Sequence, residues 1–278
     1  MRRLFACFVL FLSACSEEPV EVAPQLHWQP GDRWAIRETV TSELAVPDAG
    51  QMMRFQARET IDWLLEVDTG TAAGGWDATL TWENTTRNPG LSWDKAVDMV
   101  TAGKQIQFHV SPRGEVSAVR GLEPLHEPVA EAIAADEQLN ESGGTRDVQQ
   151  FYEKALSEAG MVGHLERVFR VFPPGPVMTG DEWLLPAIAL PHQDFQITRT
   201  CSATVASEEV IDIVFRGDIK DLMTEPDSLQ HGEETGTARF NRETGQLQEV
   251  LRRLSVKADS SAGRSEYTET SNVIFTKQ

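Results

Sequence analysis

Polar and apolar residues alternate along most of the chain. Trp34, Ile36, Val40, Leu44 and Val46 share one parity, interrupted by Glu38 and Ser42. Met53, Phe55, Ala57, Ile61, Trp63, Leu65 and Val67 share another, and Trp76, Ala78, Leu80 and Trp82 alternate with Asp77, Thr79, Thr81 and Glu83. Ile106, Phe108 and Val110 lead into Ser111-Pro112-Arg113-Gly114, with Val116 beyond it. A period of two puts one face of a strand in the core and the other in water, the code of antiparallel sheet. The code returns after Pro176: Phe195–Val205 is one strand, Ile211, Ile213, Phe215 and Ile219 mark a second. Thr237–Phe240 and Leu247–Val256 flank the turn Asn241-Arg242-Glu243-Thr244-Gly245, and Tyr267, Val273 and Phe275 mark a closing strand.

The middle of the chain changes period. Val148, Phe151, Tyr152, Ala155, Leu156 and Ala159 follow the spacing of one helical face, with Thr145 placed to cap the start and Gly160 to end it. Met161, Leu165, Val168, Phe169 and Phe172 repeat that spacing up to Pro173-Pro174, and a weaker helix spans about residues 128–139. Glu141-Ser142-Gly143-Gly144 reads as a loop. The predicted fold class is therefore α+β: extensive antiparallel sheet in two related halves, with a helical insert over about residues 125–172 packing on one face.

The relation between the halves rests on two landmarks. Pro30-Gly31-Asp32-Arg33-Trp34 opens the first half and Met178-Thr179-Gly180-Asp181-Glu182-Trp183 the second, and each half carries a hairpin whose turn contains glycine, Gly114 or Gly245. Glycine supplies the positive φ of a turn, aspartate bonds its backbone, and tryptophan plugs the core where the strand begins. The role expected for Gly31, Asp32, Trp34, Gly180, Asp181 and Trp183 is structural. Val177-Met178-Thr179-Gly180-Asp181-Glu182-Trp183 resembles the Val-x-x-Gly-Asp-x-Trp stretch of uncharacterised bacterial envelope lipoproteins, whereas the first copy has Trp28 in place of the valine. That resemblance implies an all-β or α+β body and carries no chemistry.

The N-terminus adds an address. Met1-Arg2-Arg3, the apolar run from Leu4 to Leu12, then Ser13, Ala14 and Cys15 are the parts of a secretory signal. The run is far shorter than the roughly 20 residues of a spanning helix. Leu12-Ser13-Ala14-Cys15 resembles the bacterial lipobox, which implies cleavage after Ala14 and acylation of Cys15. Ser16, where an aspartate would signal inner-membrane retention, implies the outer membrane, facing the periplasm. The expected domains are a signal peptide (1–14), a lipidated N-terminus with a flexible acidic tether (15–27), a first β-rich half with the insert (28–172) and a second β-rich half (173–278). Whether the halves share one sheet is open at this level.

Charge narrows the partners. The 278 residues carry 25 Lys+Arg against 43 Asp+Glu, a net charge of -18. Loss of residues 1–14 removes two arginines and no acid, leaving 23 basic against 43 acidic residues and a charge of -20. Such a surface excludes nucleic acid and is repelled by anionic lipid, so membrane attachment falls to Cys15.

Candidate chemistry is sparse. There is no Gly-x-Ser-x-Gly elbow, no His-Glu-x-x-His and no phosphate loop, so the sequence predicts no catalytic residues, no metal and no cofactor. His231-Gly232-Glu233-Glu234 beside Asp227 reads as a solvated loop, Asp94 and Asp98 as an exposed surface pair, and Cys201 as a small buried hydrophobe. Glu38 and Arg199 fall on apolar parity, for which an edge or bulge is the cheapest explanation. Trp63, Trp76 and Trp82 share the apolar parity of adjacent strands. That face is either core under the helices or a cleft for a greasy ligand. The functional expectation is a non-enzymatic, membrane-anchored module binding an envelope protein or ligand from the periplasmic side. The alternative is a carrier of a hydrophobic molecule in a cleft between sheet and helices, with a hydrolase of unrecognised site behind both.

Overall fold

The alternating segments join into one sheet. The computed structural model describes residues 19–48, 51–72, 74–90, 92–190, 195–221, 230–260 and 263–278. In chain order its elements are β1 (Glu21–Val22), β2 (Arg33–Asp48), β3 (Gln51–Gly70), β4 (Trp76–Asn88), α1 (Ser92–Thr101), β5 (Gln105–Val110) and β6 (Val116–Arg120). Four helices follow: α2 (Glu123–Ala134), α3 (Glu137–Ser142), α4 (Thr145–Ala155) and α5 (Glu158–Phe169). The chain ends with β7 (Val177–Met178), β8 (Glu182–Leu184), β9 (Ile188–Leu190), β10 (Phe195–Val205), β11 (Val210–Asp221), β12 (Gln230–Asn241), β13 (Leu247–Ser260) and β14 (Gly263–Lys277).

Sheet order is β6-β5-β4-β3-β2-β14-β13-β12-β11-β10-β8, with β9 also on β10. Each half is a meander, and the last strand of the chain closes against β2, with Ile36 opposite Phe275 and Leu44 opposite Tyr267. The α+β class with a large antiparallel sheet is thus the observed one, and the two halves share that sheet. Helices α2 and α5 cover one face: Leu125, Val129, Ile133, Leu165, Val168 and Phe169 pack in one cluster with Trp63, Leu80, Phe108 and Phe240.

The two Gly-Asp-x-Trp turns are built alike. The Asp32 amide donates to the Gln29 carbonyl and the Asp32 carboxylate accepts from the Gln29 amide, both at 2.9 Å. Asp181 makes the same two bonds with Met178, both at 3.0 Å. Gly31 and Gly180 take φ of 89° and 91°, a conformation that a side chain would strain. Trp34 and Trp183 are buried, each with its indole N–H unpartnered. Their settings differ, since β2 is paired on both sides whereas β8 is an edge.

Several local expectations give way. Residues 15–27 were expected as a flexible tether, yet β1 pairs with β7, Val22 and Leu26 are buried, and the Leu26 amide donates to the Pro112 carbonyl at 2.8 Å. The cause is a period of two, Val22-Pro24-Leu26-Trp28, half hidden among acids and prolines. The weak helix over 128–139 is two helices, α2 starting five residues earlier and α3 capped by the Asp136 carboxylate on the Leu139 amide. Thr145 does not cap α4; its hydroxyl donates to the Asn140 side chain. Gly160 does not end α4 but lies in α5, where the Ser157 hydroxyl accepts from its amide. Segment 141–144 is loop only after Ser142, and the segment holding Asp94 and Asp98 is helix α1.

Candidate functional site

The inner face of the sheet can be read row by row from the strand registers. Nearest the N-terminal end lie Trp63, Ile36, Phe275 and Phe240, an apolar row. At the far end lie Phe55, Leu44, Tyr267 and Val256, also apolar. Between them runs a belt of buried ionic groups. Glu38 and Arg199 belong to it; Glu38 lies on β2, paired on both sides, whereas Arg199 pairs with Gly217 on one side and on the other faces the break between β8 and β9, where the Leu185 amide donates to its carbonyl at 2.9 Å. Glu234 belongs to it too; the segment expected as a solvated loop is strand β12, while Asp227 lies outside the described residues. Arg252, Glu269 and Ser271 complete the sheet's share, and α5 contributes Arg167 and His164.

The belt is held by short bonds. Arg199 grips Glu234 with two nitrogens at 2.6 and 3.0 Å, donates to the Arg167 carbonyl at 3.0 Å, and lies 4.5 Å over the Phe215 ring. Arg167 reaches Glu269 at 3.1 Å and Glu234 at 3.4 Å. The Tyr267 hydroxyl donates to Glu269 at 2.8 Å. Arg252 donates to Glu38 at 2.9 Å and to Ser271 at 2.7 Å, and His164 lies 3.3 Å from Glu38. Glycine makes room: a Cβ on Gly217, between Arg199 and Glu234 in register, would stand 2.6 Å from Ile197 and 3.1 Å from Glu234. Three carboxylates thus face three guanidiniums away from water.

Their titration follows from that balance. Burial pushes the Glu234 carboxyl up, but Arg199 and Arg167 outweigh it and hold it at about 2. Glu269 is likewise depressed, against burial, by Arg167 and Arg252, and Glu38 by His164, Arg252 and Ser271. Arg252 moves down to about 10, because burial and the neighbouring Arg167 oppose its charge, and its Nε and Nη1 have no partner. Burying such a set costs more than an apolar packing would; what it specifies is position. Here it pins α5 to four strands and separates the main core from a smaller cluster of Leu190, Phe195, Ile197, Ile219, Leu254 and Val256.

Beyond the belt the apolar row is covered at Val256 and left open toward Leu44 and Phe55. Leu44, Phe151, Phe195, Val256, Ala258, Ser265 and Tyr267 line an open groove of about 380 Å³. Exposure is 40% at Leu44, 51% at Phe55 and 45% at Phe151, against 1% at Phe169 in the core. The outer wall is α4, which has an apolar side yet buries no residue, whereas α5 buries eight. A larger polar hollow of about 620 Å³ lies at the opposite end, between the N-terminal segment and the β12–β13 turn, where Lys277 is already paired with Asp32 at 2.7 Å.

The residues singled out from sequence are distributed differently from one another. Trp63 and Trp82 are buried with ring centroids 4.2 Å apart, and Trp76, partly buried, packs against Trp28 and His27. A void of only about 20 Å³ remains beside Trp63, so this face is packed and the open one lies past the belt. Asp94 and Asp98 are not an exposed pair: both meet Arg87, which also binds Glu59 at 2.6 Å. Cys201 is buried, and burial pushes its thiol up to about 12. Leu12, Ser13, Ala14 and Cys15 lie outside the described residues. Among the described residues no group of three or more His, Cys, Asp or Glu is arranged to hold a metal ion, and no helix is long and apolar enough to cross a membrane. The belt and the groove escaped the sequence reading; the signals were the charges at apolar parity and the surplus apolar residues Met53 and Phe55 near a hairpin tip.

Residues 84–247, more than half of the chain, match the model of a family of unknown function, DUF6263. The chain belongs to that family. The matched stretch holds the five helices of the described residues and, of the belt, His164, Arg167, Arg199 and Glu234. No curated protein matches. Among solved structures, Ail, the attachment invasion locus protein of Yersinia pestis, aligns at 4% identity over 88% of this chain and 99% of its own, with a TM-score of 0.17. A Bacteroides fragilis protein with a YmcC-like fold aligns at 11% identity over 92% and 99%, with a TM-score of 0.19. At such scores neither carries an argument.

Proposed function

We propose that the protein is a non-enzymatic binding module of the bacterial envelope, anchored by acyl chains on Cys15 at the outer membrane, facing the periplasm, and taking an apolar ligand in the groove beyond the ionic belt. The observation that carries this reading is the groove itself: the row of Leu44, Phe55 and Tyr267 and the Phe151 side of α4 are two half-wet apolar faces with a gap between them. Soluble proteins rarely leave such faces open unless something occupies them. Its volume, about 380 Å³, falls within the range of about 300–1,000 Å³ that ligand pockets span.

Strand β1, the first strand after Cys15, and the groove lie at opposite ends of the body. From Cys15 to β1 there are six residue steps, at most about 21 Å, so the N-terminal end of the sheet would ride close to the membrane. From Arg33 to Leu44 the strand β2 runs about 36 Å further, which presents the groove away from the bilayer. Two measurements test the two parts. Labelled fatty acid should enter the wild-type protein and not Cys15→Ala, and an environment-sensitive apolar dye should light up on folded protein lacking the first 18 residues. Label retained by Cys15→Ala removes the anchor. No dye uptake, or uptake unaltered by Leu44→Ser, removes the groove.

A further inference from the structure

Resting on that reading, we infer that the groove takes the single hydrocarbon chain of a monomeric amphiphile, with the head left in water, and not a peptide segment. The chemistry of its walls argues this. Among the described residues no charged side chain lines it, and of the hydroxyl side chains Ser265 and Tyr267 the latter already donates to Glu269. On the neighbouring hairpins Arg54 pairs with Glu43 and Lys257 with Glu266. A carboxylate or phosphate therefore finds no seat, whereas a tail needs none.

A peptide fails on its backbone. The strands behind the groove, β2, β14 and β13, are interior strands with both edges paired, so their amides and carbonyls are spent within the sheet. An extended segment laid there would lose the hydration of its own N–H and C=O groups without replacement, at about 1–3 kcal/mol for each. A helix satisfies its own backbone but is bulky. One turn is about 10 Å across, far wider than a polymethylene chain. A polymethylene chain is slender and has no polar group to strand. Under the proposed anchoring the groove also faces away from the membrane.

Dye displacement from the protein lacking its first 18 residues tests this, using fatty acids, alkyl maltosides and lysophosphatidylcholines of 8 to 14 carbons below their micellar concentrations. Affinity should rise about fourfold for each methylene until the groove is full and then level off. It should be nearly the same for the anionic, neutral and zwitterionic heads at equal chain length. Ala258→Phe, which narrows the groove, should bring the plateau at a shorter chain, while Leu251→Ser on the opposite face should leave the series unchanged. Affinity that ignores chain length, or that follows the head, overturns the inference. So does displacement by diacyl phosphatidylcholine vesicles at lipid concentrations where single-chain monomers are inert, or by an amphipathic peptide more strongly than by any alkyl chain. In each of these cases the dye still binds at Leu44, so the groove survives as a site; absence of dye binding is the separate failure of the site itself.

Discussion

The two ends of the sheet's inner face are written in the same alternating code and end up in opposite states. Trp63 and Phe55 lie on the same side of the same strand, eight residues apart, yet the first is buried against Trp82 and His164 while the second is half exposed. What differs is the cover. Helix α5 lies flat on the sheet, nailed down by Arg167 between Glu234 and Glu269, and fills the N-terminal end with Val168 and Phe169. Helix α4 stands off the far end and offers Phe151 across a gap. The ionic belt is the border between the two. The main core ends at this line of buried charges, and beyond it lie the smaller cluster around Phe195 and Leu254 and then the groove.

The sharpest way to break this comparison is to break the border. Arg199→Met leaves Glu234 fully buried with one guanidinium instead of two and should lower unfolding free energy by about 3–5 kcal/mol, read from urea denaturation. The double variant Arg199→Met, Glu234→Leu should regain much of that loss, because no lone charge remains. A single-variant loss below about 1 kcal/mol would mean that the belt does not organise the interior.

The cover itself can be weighed next. Phe169→Ala should cost about 3–5 kcal/mol, a cavity in a filled core, while Phe151→Ala should cost less than about 1 kcal/mol and instead weaken dye binding. Equal stability losses at the two positions would erase the distinction between the helices.

Acid should act on the border and spare the groove. Glu234 is held at about 2 when folded, below the 4.5 it has otherwise, so its contribution is complete above pH 4.5 and fades as pH falls toward 2. The integrated loss is roughly 3 kcal/mol, and the depressed Glu38 and Glu269 act in the same direction. Urea midpoints at pH 7, 4, 3 and 2.5 should fall monotonically, and a midpoint flat to pH 2.5 contradicts the ion pairing. Phe151→Ala should follow the wild-type curve.

Much of the fold is legible in the sequence because a strand's two faces are decided by its own residues. Period-two runs located β2 to β5, β10, β11, β13, β14 and the second half of β12, and the 3.6 period located α4 and α5. Capping was less legible: Ser157 and Gly160 compete for the same helix boundary, and Ser157 caps α5 while Gly160 is needed where the chain passes the Lys154 and Ala155 carbonyls, which a Cβ there would strike. Glu38 and Arg199 show where the reading runs out. A charge at apolar parity is costly unless paired, and its partner, Arg252 for one and Glu234 for the other, lies 214 or 35 residues away. Local pattern carries no trace of such a partner. The sequence by itself therefore determined the alternation, the helical insert and the acidic surface, all properties of neighbouring residues. Which apolar face would be covered, and that a belt of charges would divide core from groove, only the tertiary structure decided, since both depend on which distant strands and helices come to lie against one another.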